Sequence, residues 1–362
     1  MRLGKYEVLL KKRTTLLTRW EAIQLRILFL VFGLAVIGII FAAYGVNPVL
    51  VYIDIFRLAY FTTFGLAETV TRFIPLLLIA IGLSIPFRVK IDNIGAEGQF
   101  IIGAVAATGT AFFFWYLHPF LLISLMFLIG AIAGGLWALP IALFRSRGGF
   151  KGADVVISFL LVYPAFFILE YLVIGPWRDP VGYGFPQTPI LPPNSYIPIF
   201  VILGFALAIT FFIYYFLGKS KYGVSKTKFG YELDVLGKNP EAGRVAGMSF
   251  LKIAVITVLI SGALAGIAGV SEVAGNQFRL RIGFPSGYGF SAIAVAWLGM
   301  LNPLGIMLSS LFFAGLLVGG LAIQISAGLP ATTMSLFNGV ILLFVLLAEF
   351  FTRYRLELRV YR

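Results

Sequence analysis

ILFLVFGLAVIGIIFAAY, residues Ile27 to Tyr44, runs for 18 positions without a charged side chain. A helix of that length rises about 27 Å, close to the ~30 Å hydrocarbon core of a bilayer. Hydrocarbon gives the backbone no hydrogen-bond partner, so a crossing segment must satisfy its own N–H and C=O groups, as an α-helix does. Taking this run as 27–45, others follow at roughly 71–87, 99–117, 119–144, 155–175, 197–217, 252–273, 288–301, 304–324 and 332–351, ten in all. Seven basic residues precede the first run, as in a secretory signal, but the run is too long for a cleavable one and reads as an uncleaved span.

Composition agrees with this reading. Of 362 residues, 60% are hydrophobic and 12% charged, about half the charged share of soluble proteins, and the mean hydropathy is +0.98. The apolar runs are continuous rather than alternating, which excludes a lipid-facing β-barrel as well as disorder and coiled coil. The expected fold is an all-α polytopic membrane protein of about ten transmembrane helices, some broken. Residues 1–26 form an amphipathic cytoplasmic segment that suits a helix on the inner membrane face, 27–351 the transmembrane domain, and 352–362 a cytoplasmic tail.

The net charge of +13 is explained by where the cations fall. With a cytoplasmic N-terminus, all Lys and Arg lie on the inner side except Arg57, Arg72, Arg178, Arg279 and Arg281. That asymmetry is the positive-inside pattern; it makes both termini cytoplasmic and assigns the charge to topology and anionic lipid, not to nucleic acid. The pattern requires the weak run at 288–301 to cross. The chain has no cysteine and a single histidine, His118, so thiolate chemistry and multi-His metal sites are excluded. No phosphate-binding loop, HExxH or GxSxG motif occurs, and no catalytic, cofactor-binding or metal-binding residue is assigned.

Gly130 and Gly134, Gly262 and Gly266, and Gly315 and Gly319 each form a small-residue pair that lets helices approach closely. Two glycine-rich segments, Asn93 to Gln99 and Gly283 to Gly289, interrupt the apolar pattern where a substrate path would need irregular backbone. Asn93 can cap the following helix, and Glu97 in its first turn complements the helix dipole. The candidate path residues are Asn93, Glu97, Gln99, Asn276, Gln277 and Tyr288: amides that donate and accept, and a ring that can stack on a sugar or base. Glu170 and Glu272 fall near outer span ends, where interfacial solvation accommodates an acid.

The inner loop 218–251 is the most hydrophilic interior stretch. Within it Asn239 reads as an N-cap, Pro240 as the first helical residue, Glu241 beside it, and Gly247 as terminator, a rigid two-turn helix suited to docking a partner. Ala242 and Arg244 lie on this short helix.

NIGAEGQ at 93–99 followed by FIIGA, DVVIS at 154–158 followed by GPWRDP at 175–180, GKNPEAGRVAGM at 237–248, and GYGFSAIAVAWLGMLNPLG at 287–305 resemble the permease subunit of ABC importers. The likeness covers about 70–345 and points to the nucleoside and simple-sugar branch, related to ribose and branched-chain amino-acid permeases. The resemblance implies residence in the plasma (inner) membrane of a bacterium or archaeon. It also implies two cytoplasmic ATPases that bind ATP and Mg, an extracytoplasmic substrate-binding protein, and a second permease, a different chain by the wording of NIGAEGQ and the N-terminal extension. It makes Asn239, Pro240, Glu241, Ala242, Arg244 and Gly247 the ATPase-coupling element. Ala153–Asp154–Val155 and Leu161–Val162–Tyr163 depart from the Asn-Glu-Val and Leu-Asn-Tyr common in nucleoside members, which leaves another simple sugar open. The alternative from physics alone is an ion-coupled secondary transporter, which would place acids in the middle of several spans.

Overall fold

The computed structural model describes residues 2–3, 6–13, 17–146, 152–218, 225–284 and 287–360. Strands β1 (Arg2–Leu3) and β2 (Tyr6–Lys12) precede helices α1 (Arg19–Ala43), α2 (Pro48–Phe61), α3 (Thr63–Arg88), α4 (Ala96–Phe113) and α5 (Pro119–Ser146). Next come α6 (Ala153–Leu160), α7 (Val162–Ile174), α8 (Ile199–Leu217), α9 (Lys228–Lys238), α10 (Pro240–Val245) and α11 (Phe250–Glu272). The chain closes with α12 (Tyr288–Leu298), α13 (Pro303–Ala327), α14 (Ala331–Arg353) and β3 (Tyr354–Val360). Two compact units result, one of Met1–Leu66 with Gly315–Arg362, the other of Ala67–Ala314.

Among the described residues, eight helical stretches are long and apolar enough to cross a bilayer. They coincide with eight of the ten expected runs. The other two differ in kind. Helix α4 has the length, 18 residues, but opens with Glu97 and Gln99 in its first turn. Helix α12 has only 11 residues, about 16 Å, half a hydrocarbon core. Helix α12 is therefore shorter than the expected run at 288–301, and ahead of it the chain turns, with the Leu280 and Phe278 carbonyls accepting from Thr188 and Leu191 N–H at 2.9 and 2.8 Å; Pro285 and Ser286 of the expected break lie outside the described residues.

In the larger unit, α4, α5 and α11 make the most extensive packing. Their glycines explain why. A Cβ on Gly266 would fall on the Gly130 carbonyl, one on Gly262 on the Gly134 carbonyl, and one on Gly103 of α4 on the Gly266 backbone. Two of the small-residue pairs thus face each other, and a third helix joins the same seam. The crossing 153–174 is broken between α6 and α7. Pro164 has no N–H for the Leu160 carbonyl, and the Leu161 carbonyl turns aside to accept from Trp137 Nε1 at 3.1 Å.

In the smaller unit, Thr18 and Glu21 form a reciprocal capping box at the start of α1. Helix α1 packs on α14, where the buried Arg26 guanidinium meets Glu349 at 2.8 Å. Helix α2, to which no apolar run corresponds, is capped by Asn47 and buries Val51, Ile55 and Ala59 at four-residue spacing. The charged Asp54 and Arg57 hide this stripe from a hydropathy reading. Ile55 and Tyr60 take up the space left by Gly319 and Gly315.

The fold is mostly helical, as expected, and the terminal segments add one small sheet to it. Residues Tyr6–Lys12 are a strand, not an amphipathic helix, and pair antiparallel with β3 in the register Tyr6↔Val360 to Lys12↔Tyr354. A helix bonds within itself, whereas a strand needs a partner. Here the partner, YRLELRV, lies at the far end of the chain within the expected tail and alternates with the two-residue period of a strand.

Candidate functional site

The segment between α3 and α4 runs as buried, non-helical chain, so its polar groups must find partners inside the protein. Asn93 and Gln99 pair face to face, each amide nitrogen donating to the other's oxygen at 3.0 Å, and Asn93 Nδ2 also donates to Ser261 Oγ at 3.2 Å. Asn93 Oδ1 accepts from the Gly95 N–H in the turn before α4, but Gly95 is the N-cap of α4 and no side chain caps the helix, so the expected capping role of Asn93 is not met. Asp154 accepts from the Asp92 N–H and Ser158 from the Ile94 N–H, at 2.9 and 3.0 Å. The connection between α3 and α4 is thereby sewn to α6. Gly95 sits so close to the Ser158 carbonyl that a Cβ there would overlap it.

Glu97 joins this break to the second one. Its carboxylate accepts from the Gly287 N–H at 3.1 Å and the Gly289 N–H at 2.5 Å, at the very start of α12. Helix α12 has no side-chain cap of its own, and its N-cap, Gly287, is left-handed at φ 77. The acid of one broken crossing is the cap of the other, and it also lies in the first turn of α4, so two positive helix ends converge on one carboxylate. A Cβ at Gly289 would collide with the Glu97 backbone, so glycine is required there. Tyr288 is buried edge-on against Phe100, which stacks on Phe284.

The remaining path candidates form a separate network. Glu272, 3% exposed, accepts at 2.8 Å from both Asn276 Nδ2 and Gln277 Nε2. The interfacial solvation expected for Glu272 is thus replaced by two amides. The π-turn at Val273–Gln277 ends α11 and brings both amides back over the acid. Gln277 Oε1 in turn accepts from Arg281 at 3.0 Å. The structure therefore brings Asn93, Gln99, Glu97 and Tyr288 together, sets Asn276 and Gln277 on Glu272, and pairs these amides and acids within the chain.

The short helix α10 forms as its residues dictate. Asn239 Oδ1 accepts from Glu241 and Ala242 N–H at 3.1 and 3.3 Å, Pro240 is the first helical residue, and Gly247 adopts φ 77 just beyond the end. Glu241, Ala242 and Arg244 are exposed, and Val245 is 90% exposed, while Gly243 packs on Leu236 of α9. Beneath α9, Arg88 at the end of α3 donates to the Leu301 carbonyl at 3.0 Å and to the Leu217 carbonyl at 3.4 Å. Gly237 of α9 presses onto the Arg88 carbonyl. Arg88 and Ser261 escaped the sequence reading, and Asp154 and Ser158 entered it only as letters of the DVVIS motif, because a lone polar residue at a span end gives no sign of which distant carbonyl or amide it meets. Among the described residues no cluster of His, Asp and Glu could hold a metal ion.

Comparison with known proteins matches this architecture. The chain is 34% identical to the glucose ABC transporter permease protein TsgB13 of Haloferax volcanii over 351 residues, 93% of this chain and 90% of that protein. It is 29% identical to the guanosine ABC transporter permease protein NupP of Bacillus subtilis, over 87% of this chain and 90% of NupP. It is 27% identical to NupQ, another guanosine ABC transporter permease protein of that organism, over 66% of this chain and 76% of NupQ. The family described as the branched-chain amino acid transport system permease component matches residues 65–346, which hold both breaks and α10, and the chain belongs to that family.

Proposed function

We propose that this chain forms the translocation path of an ATP-driven importer for a simple sugar or a nucleoside, delivered by an extracytoplasmic binding protein. The observation that carries the reading is the capped, exposed α10 on a chain that matches transport permeases over most of its length. Two turns held by Asn239 and stopped by Gly247 present Glu241, Ala242 and Arg244 as a rigid knob for a cytoplasmic ATPase, which supplies the hydrolysis this chain has no motif for. The relatives' names support the solute class, glucose in one and guanosine in two. So does the chemistry: the breaks are lined with amides, and the fixed charges there already have in-chain partners, an arrangement suited to a neutral, hydroxyl-bearing solute. Solute would compete for the Asn93–Gln99 pair and for the amides on Glu272, giving a transient, weak site.

The second permease is a different chain, as in the guanosine system, where two permease proteins serve one organism and this chain covers one of them more fully. The protein resides in the plasma membrane with both termini cytoplasmic. Pairing of β2 with β3 supports this, since joined ends require an even number of crossings, and the basic residues near both ends favour the cytoplasmic side. Uptake of labelled glucose, ribose, uridine and adenosine is the test, in cells carrying the chain with its genomic neighbours and in cells lacking only this chain. Loss of uptake of at least one of the four is expected. Chain-dependent uptake of a charged amino acid, and of none of these, would overturn the solute class.

A further inference from the structure

Within the larger unit, α8 leaves a crevice of about 440 Å³ against α3 and α11, lined also by Phe229 of α9. Its walls include Ile85, Ile209, Ile213, Ile256 and Ile260, and the lining exposes no polar surface. Water has no partner in such a space, and an empty void leaves its wall atoms without dispersion contacts, so hydrocarbon is the occupant its chemistry selects. The crevice opens on the face where α8 exposes its aromatics: Phe212, which lines it, is 61% exposed, and Tyr215 is 62% exposed.

Beside the lining residues Phe216 and Phe229 the surroundings become cationic. The backbone N–H of Lys226 donates to the Gly218 carbonyl at 3.0 Å, and its ammonium lies 5.2 Å from the centre of the Tyr215 ring. Lys228 opens α9 with a side chain 90% exposed, loosely opposite Glu232 at 3.9 Å. Thr227 Oγ1, between these lysines, donates to the Phe216 carbonyl at 2.8 Å, fixing the two cations beside the residues that line the crevice.

We infer that this crevice is a binding site for one acyl chain of an anionic phospholipid of the surrounding bilayer, with the headgroup phosphate held by Lys226 and Lys228. A hydrocarbon slot ending at two cations matches an amphiphile with a negative head. A second copy of this chain would bring cations to cations. Because Phe229 of α9 lines the slot and α9 shares Asn239 with α10, the lipid underpins the platform that carries α10.

The test uses the full chain in nanodiscs containing phosphatidylglycerol or phosphatidylcholine, each with a photoactivatable group on one acyl chain, and maps the labelled peptides by mass spectrometry. Label is expected on 209–217 and 256–264, with phosphatidylglycerol preferred. Ile260→Trp, which fills the slot, removes most of it, whereas Val201→Trp, on exposed α8 surface outside the lining, does not. Lys226→Gln weakens the preference for phosphatidylglycerol about fivefold, the worth of one cation near an anionic surface, and leaves phosphatidylcholine labelling unchanged. Ile209→Trp serves the same purpose should Ile260→Trp fail to fold. Equal labelling by the two lipids, label that persists in folded slot-filling variants, or loss of label when the transporter is purified whole through this chain would each overturn the inference. The last outcome would assign the face to a protein partner.

Discussion

Glu97 shows how one side chain can hold two broken helices. Its oxygens take two N–H groups at the start of α12, the Gly289 one buried and the Gly287 one part-buried, that nothing in α12 itself caps. Glu97→Ala would leave the Gly289 donor buried and unpaired, at about 1–3 kcal/mol, with a smaller cost at Gly287. The expected result is a fall of several degrees in the unfolding midpoint of the purified chain. Glu97→Gln keeps one acceptor oxygen and turns an NH2 toward the other N–H, so its fall is smaller but present. An unchanged midpoint in both would mean α12 is capped in some other way. The sequence marked Glu97 as a residue of a helix start but assigned it to the dipole of its own helix. Its second partner lies 190 residues on, and no local pattern reports a cap given to a distant helix.

The element scale separates glycines that pack from glycines that merely occur. Gly266→Ala would drive a methyl into the Gly130 carbonyl, forcing α5 and α11 apart along their main seam. Gly204→Ala on α8 meets nothing within 4 Å and gains helix propensity, about 0.8–1 kcal/mol. Thermal unfolding should rank them in opposite directions, the first strongly lowered and the second unchanged or raised; equal effects would remove the argument for the seam. Both pairs were legible in the sequence as spacing, whereas their facing each other was not. Helix α10 was legible entire, from Asn239 to Gly247, because caps and terminators are local signals. Ala242→Arg and Arg244→Glu stand on its exposed surface, so transport is expected to drop by an order of magnitude or more while expression and unfolding stay unchanged. Normal transport in both variants would reduce α10 to a connector.

At the scale of the whole molecule, hydropathy located eight of the ten expected runs as long apolar helices, because lipid imposes the same demand on every span. It missed α2, where Asp54 and Arg57 interrupt the apolar run, and overextended α12, an 11-residue helix. Single cysteines at Tyr183 and Val245, 95% and 90% exposed, should label from opposite sides of intact cells in a chain with no native cysteine. Labelling of Val245 from outside would invert the topology. The terminal strands were least legible, since β2 is defined by a partner some 350 residues away. Their pairing has a consequence for the order of assembly. Strand β2 cannot complete its structure until β3 has been made, so during synthesis β2 waits, unpaired, while the helices between them are inserted. Loss of β3 would therefore strand β2 as well.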